Sequence, residues 1–169
     1  MSEAPLGGQD SRPEENPPSP GDNPAPHGDV YTWYQRGLEL LGRGSAAAAA
    51  QLLERAAEAE PESRSVLEAL GRAQFDTRRY ADAAQTFRQI VEASPTDDYA
   101  QFGLGLALAR GGDPGAAAEH LALAAAMRPE LRHYTDALQG VRATLRARSE
   151  AAAEPQRGRG GPDETKGLL

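Results

Sequence analysis

Three prolines, Pro61, Pro95 and Pro129, stand 34 residues apart and then 34 again. A fixed spacing of this size marks a chain built from repeated supersecondary units, each unable to bury its own apolar face alone. With proline set at position 32, each unit carries the same residue types ahead of it. Position 8 reads Gly37, Gly71 and Gly105, and position 20 reads Ala49, Ala83 and Ala117. Position 24 reads Leu53, Phe87 and Leu121, and position 27 reads Ala56, Ile90 and Ala124.

Each of these choices has a physical reason. Glycine at 8 and alanine at 20 let two antiparallel helices approach closely where they cross. Large residues at positions 4, 7, 24 and 27 fill the space on either side at helical spacing. Proline at 32 ends the second helix, because the residue before it is steered out of the helical region. Between the helices lie turn formers: Gly42 and Gly44, then Asp76 to Arg79, then Gly111 to Pro114. The spacing predicts an all-α array of three helix-turn-helix units over residues 30–63, 64–97 and 98–131. One further helix is expected at about 130–149, as a cap for the last apolar face. Leu131, Tyr134, Leu138, Val141 and Leu145 fall on its one side, and Arg132, Asp136, Gln139, Arg142 and Arg146 on the other.

The flanks differ in composition. Residues 1–28 hold seven prolines and almost nothing apolar, so they cannot bury enough surface to offset the entropy of ordering. They read as a disordered acidic tail, with Pro17 and Pro20 spaced as PxxP. Residues 150–169 read as a second disordered tail containing Arg157-Gly158-Arg159-Gly160-Gly161. All nine aromatic residues lie between Tyr31 and Tyr134, which places the core there.

Composition excludes several function classes. The net charge of −7 is concentrated in the first tail, and the array itself is nearly neutral with no basic stripe to displace counterions. Nucleic acid is not an expected partner. The absence of cysteine removes disulfides and thiolate metal sites. No apolar run reaches membrane-spanning length, and the first residues lack the order of a secretory signal, so no membrane is expected and the location is expected to be cytoplasmic. His27, His120 and His133 have no helical partner histidine or carboxylate set, so they are expected to be surface residues, with no metal and no cofactor. Gly103-Leu104-Gly105 lacks the third glycine and the preceding strand of a dinucleotide loop. No catalytic constellation is present, and the chain is not expected to be an enzyme.

The period, the small residues at 8 and 20, the bulky residue at 24 and the proline at 32 resemble the tetratricopeptide repeat family. Trp33-Tyr34-Gln35-Arg36-Gly37 and Arg79-Tyr80-Ala81-Asp82-Ala83 are similar to its two helix openings. The resemblance covers residues 30 to about 148. It implies a right-handed α-α superhelix of three repeats plus a capping helix, acting as a protein-protein interaction scaffold. Arg36, Gln74 and Gln101 depart from the family pattern, and the two glutamines suggest local looseness. The preference for arginine, with Lys166 the single lysine, resembles proteins of high-GC bacteria.

In that family positions 2, 5, 9 and 12 or 13 of the first helix meet a ligand segment. The resemblance therefore implies a partner-binding lining of Tyr31, Tyr34, Leu38, Leu41, Glu68, Arg72, Phe75, Tyr99, Phe102 and Leu106. The lysine and asparagine set with which some members clamp a C-terminal carboxylate is absent here. The lining suits an apolar or amphipathic peptide or helical segment, with Arg72 able to pair an acid. The alternative is a self-associating assembly factor, a homodimer that uses the groove or the capping helix as its interface.

Overall fold

The computed structural model describes residues 27–157, and the side chains of 29–153. The two expected tails fall largely outside this range, with Pro17, Pro20 and Gly158 to Gly161. Seven helices follow in order: α1 His27–Gly42, α2 Ala46–Ala59, α3 Arg64–Asp76, α4 Tyr80–Ala93, α5 Asp98–Gly111, α6 Pro114–Met127 and α7 Arg132–Arg157. No strand occurs among the described residues. Each helix packs on the one before it, and α1, α3, α5 and α7 also touch in succession. Among the described residues α2, α4 and α6 do not meet. One face of the array is therefore tightly closed and the other splayed, which is how a stack of hairpins acquires its curvature.

The crossings are equivalent in all three units. A Cβ added to Gly37 would lie 2.7 Å from Leu53 Cγ, one on Gly71 2.9 Å from Phe87 Cε2, and one on Gly105 2.6 Å from Leu121 Cγ. Position 8 thus needs glycine because the side chain at position 24 occupies the space. Phe87 is held from a second side as well, since a Cβ on Gly103 would lie 2.6 Å from its Cζ. Ala49, Ala83 and Ala117 at position 20, with Ala56 and Ala124 at position 27, are completely buried.

The turns repeat too. Position 15 has positive φ in every unit: Gly44 at 76°, Arg78 at 62° and Gly112 at 99°. The following amide closes back over the turn each time, from Ser45 to Leu40 O, Arg79 to Gln74 O and Asp113 to Leu108 O, at 2.8 to 3.0 Å. Arg78 is the one non-glycine residue in this conformation among those described. Asp97 and Asp113 cap α5 and α6, each carboxylate accepting a backbone N–H, from Ala100 and Ala116 respectively, at 3.0 Å.

Three expectations need correction. Gln74 and Gln101 are not loose positions but buried ones, 6% and 3% exposed. Thr86 Oγ1 donates to Gln74 Oε1 at 2.7 Å, while Gln101 donates to Pro95 O and meets His120 Nδ1 at 2.7 Å through Oε1. In each case a first-helix amide pairs with a second-helix polar group, across 12 residues in one unit and 19 in the other. His120 is accordingly half-buried, and only His133 of the two described side chains is exposed. Finally, α1 begins at His27 and α7 runs on to Arg157, beyond the end near residue 149 that the sequence suggests. The alanines at 151–153 extend it, having the highest intrinsic helix propensity. In α7 the side chains of Tyr134, Leu138 and Val141 are buried against α5 and α6, while Arg132, Asp136, Gln139, Arg142 and Arg146 are exposed.

Two outcomes test this packing. Gly103→Ala places a methyl against the Phe87 ring and is expected to lower stability by about 1–3 kcal/mol. Gly140→Ala in α7, where an added Cβ meets nothing within 4 Å, is expected to raise it by about 0.5–1 kcal/mol. Urea unfolding midpoints read both. Burial also holds the His120 imidazole below its ordinary pKa, ahead of the opposing pull of Glu119 and the further lowering by Arg88. The folded state then binds fewer protons than the unfolded one. Stability is full above the unfolded histidine value, about 6.5, and falls as pH drops below it toward the depressed folded value. Thermal melts from pH 7.5 to 5 should show a shallower fall for His120→Gln than for the natural chain.

Candidate functional site

The inner face is built by α1, α3 and α5, with α7 closing one end. Two adjoining hollows open along it. One of about 190 Å³ lies between α1 and α3 and is lined by Tyr34, Leu38, Leu41, Glu68, Arg72 and Tyr99, among others. The second, about 160 Å³, lies between α3 and α5 and is lined by Arg72, Phe75, Phe87, Tyr99, Phe102 and Leu106. Arg72 and Tyr99 belong to both, so they form the saddle between the two.

Nine of the ten residues named from the sequence therefore meet in one continuous groove, but their environments differ. Tyr31 does not line either hollow; it is 65% exposed near the start of α1. Leu41, 6% exposed, spends most of its surface in the core with Ala49, Leu53 and Leu70. Leu38 and Tyr99, at 37% and 38%, are the open apolar surfaces. Phe75 packs edge-on against Tyr80 at 5.3 Å, and Phe102 stacks on Tyr134 at 4.3 Å between centroids. Both phenylalanines are half-buried, so they shape the wall more than they offer free area.

The charges in the groove are unequal. Arg72 is exposed and has no ion pair among the described residues. Glu68 lies 2.7 Å from Arg64, yet its Oε1 is buried without a hydrogen bond, off the guanidinium's N–H directions. Burial pushes its carboxyl above the ordinary range, more than Arg64 pulls it down. Arg64 is also bonded to Asp97. Burial acts to raise the Asp97 carboxyl, but the bonds from Arg64 and from the Ala100 amide together bring it below its ordinary value. Desolvation raises the Tyr99 phenol, so the ring faces the groove as a neutral donor.

Sequence reasoning missed three contributors. Phe87 borders the α3–α5 hollow, and Tyr134 and His133 back it by packing on Phe102. His133 meets Phe102 edge-on at 5.3 Å, and the Tyr134 hydroxyl donates to Asp98 at 2.9 Å. A signal was available for one of them. Continuing position 2 from Tyr31 through Ser65 and Tyr99 by another 34 residues lands on His133. Phe87, only 3% exposed, borders the hollow at Gly103, whose lack of a side chain makes room for the ring.

No group of three or more His, Asp or Glu side chains able to hold a metal occurs among the described residues. No helix among them is long and apolar enough to cross a membrane. Among the described residues the surface is an apolar, aromatic groove with Arg72, which has no ion pair there, at the junction of its two hollows.

Comparison with known proteins agrees with this architecture. The family described as tetratricopeptide repeat matches residues 34–98. No individual curated protein matches the sequence. Among solved structures, the fold is similar to the first TPR of Spaghetti (RPAP3) bound to an HSP90 peptide, SRMEEVD, with TM-score 0.65 and 15% identity, covering 70% of this chain and 94% of that one. It is similar to MamA from Desulfovibrio magneticus RS-1, with TM-score 0.67 and 21% identity over 80% of each chain. It is also similar to the type III secretion translocator chaperone SycD of Yersinia enterocolitica in an alternative dimer, with TM-score 0.63 and 14% identity, covering 73% and 98%. At these identities the likeness concerns the fold.

Proposed function

We propose that this chain, which carries tetratricopeptide repeats, is a non-catalytic adaptor that holds a peptide or helical segment of another protein in its inner groove. The observation that carries the reading is the convergence of Leu38, Tyr99 and Arg72 on one open concave surface. Exposed leucine and tyrosine offer area at low entropic cost, and an arginine without a partner loses little by meeting an incoming carboxylate. The ligand that fits best is an amphipathic segment with apolar residues spaced to reach both hollows and an acid between them. That one similar structure, the RPAP3 domain, holds a peptide is consistent with the use of such a groove. The cytoplasm suits this role.

Tyr34→Ala combined with Tyr99→Ala tests the proposal. Neither ring is among the fully buried side chains, so helicity and melting should persist. Peptides selected from a random display library on the natural protein should lose at least about tenfold in affinity for the double variant, the usual scale for truncated aromatic anchors. Selected peptides that bind both proteins equally overturn the assignment. Sedimentation over a range of concentrations separates the self-associating reading, since a strict monomer excludes it.

A further inference from the structure

The outer face carries a second recess that the inner-groove reading does not use. Because α2 and α4 do not touch, a hollow of about 330 Å³ opens between them over the inner helix α3. It continues past Pro61, Leu67 and Gln89 into a wider one of about 540 Å³. Gln74 lies in the floor. It is only 6% exposed, and its Oε1 accepts from Thr86, but its Nε2 has no hydrogen-bond partner among the described residues. The Nε2 opens onto the recess, where solvent accepts from it until a segment with its own acceptor takes that place.

The rim has a definite charge. Glu54 is paired to Arg79 at 2.6 Å, and Arg79 in turn to Asp82 at 2.7 Å. Glu58 lines the same hollow and Glu62 the adjoining one, and neither is ion-paired among the described residues; Arg64, which also lines the adjoining hollow, is held by Glu68 and Asp97. Gln85 and Gln89, one turn apart on α4, stand on the opposite wall as amide donors and acceptors. Leu67 and Leu70 give the recess an apolar base.

We propose that this recess is a second binding site, which takes an extended cationic peptide segment from a partner protein. A backbone carbonyl of that segment accepts from Gln74 Nε2, and its peptide groups exchange hydrogen bonds with Gln85 and Gln89. Arginine or lysine side chains meet Glu58 and Glu62, and an intervening apolar residue covers Leu67 and Leu70. An anionic segment meets uncompensated carboxylates and is rejected. The two faces then read different chemistries, an acid-bearing amphipathic segment inside and a cationic one outside, so one scaffold bridges two unlike partners.

The experiment titrates the full chain with the acetylated, amidated peptide Leu-Arg-Gly-Leu-Arg, followed by nitrogen-15 spectra. The side-chain amides of Gln74, Gln85 and Gln89 should shift. Glu58→Arg, a surface change that does not threaten folding, should weaken binding about fivefold. Gln74→Leu, which closes the open donor with a side chain of similar size, should weaken it comparably while leaving the melting temperature at or above that of the natural chain. The Tyr34→Ala, Tyr99→Ala variant should bind this peptide unchanged, whatever becomes of the inner groove. Absence of shifts at millimolar peptide, equal binding by Glu58→Arg and Gln74→Leu, equal binding of a glutamate-for-arginine peptide, or loss of binding in the inner-groove variant each overturn the proposal.

Discussion

The structure depends on a single steric contact made three times: the bare Cα of a position-8 glycine against the side chain at position 24. Gly37 receives Leu53, Gly71 receives Phe87 and Gly105 receives Leu121. The contact sets how closely the two helices of a hairpin lie, and so where all the other side chains in the repeat can reach. Once that distance is fixed, position 20 can hold nothing larger than alanine, which explains why Ala49, Ala83 and Ala117 have no exposed surface. The first helices then run side by side, and the second helices are pushed apart. Groove and outer recess are both consequences of that asymmetry.

The second repeat shows how a local exception is absorbed. Phe87 is larger than the leucines that occupy its place in the neighbouring units, and its ring would collide with a side chain on α5. Gly103 removes that collision. The same missing side chain lets the Phe87 ring border the α3–α5 hollow although it belongs to α4 and is only 3% exposed. Arg78 is a milder exception, holding a left-handed turn conformation that glycine occupies in the other two units.

Much of the fold was legible because repetition multiplies a weak signal. A lone glycine or alanine in a helix says little, but three of each in one register define a crossing. The candidate groove was legible through the family resemblance, which says which first-helix positions to read; register then gives Tyr34, Leu38, Arg72, Tyr99, Phe102 and Leu106. What register cannot supply is the fraction of each side chain left open. Leu41 faces inward yet is consumed by the core, and Phe102 is half covered by Tyr134, because neighbours from other helices take up that surface. Polar residues at apolar positions were misread for a related reason. Gln74 and Gln101 look like weaknesses until their partners Thr86 and His120, on the following helix, are placed beside them.

The two glutamine pairs also separate structure from function in a useful way. Gln101 uses both ends of its amide, donating to Pro95 O and meeting His120 through its oxygen, so it is complete within the fold. Gln74 occupies a comparable interior place but uses only its oxygen. The difference follows from what lies above each. Gln101 sits beneath the turn that carries Pro95, whose carbonyl is free because the helix has ended there. Gln74 sits beneath the gap between α2 and α4, where no backbone is near enough to accept. The Gln74 amide therefore holds Thr86 with its oxygen and turns its nitrogen to the recess, while Gln101 is closed on both sides by its own fold.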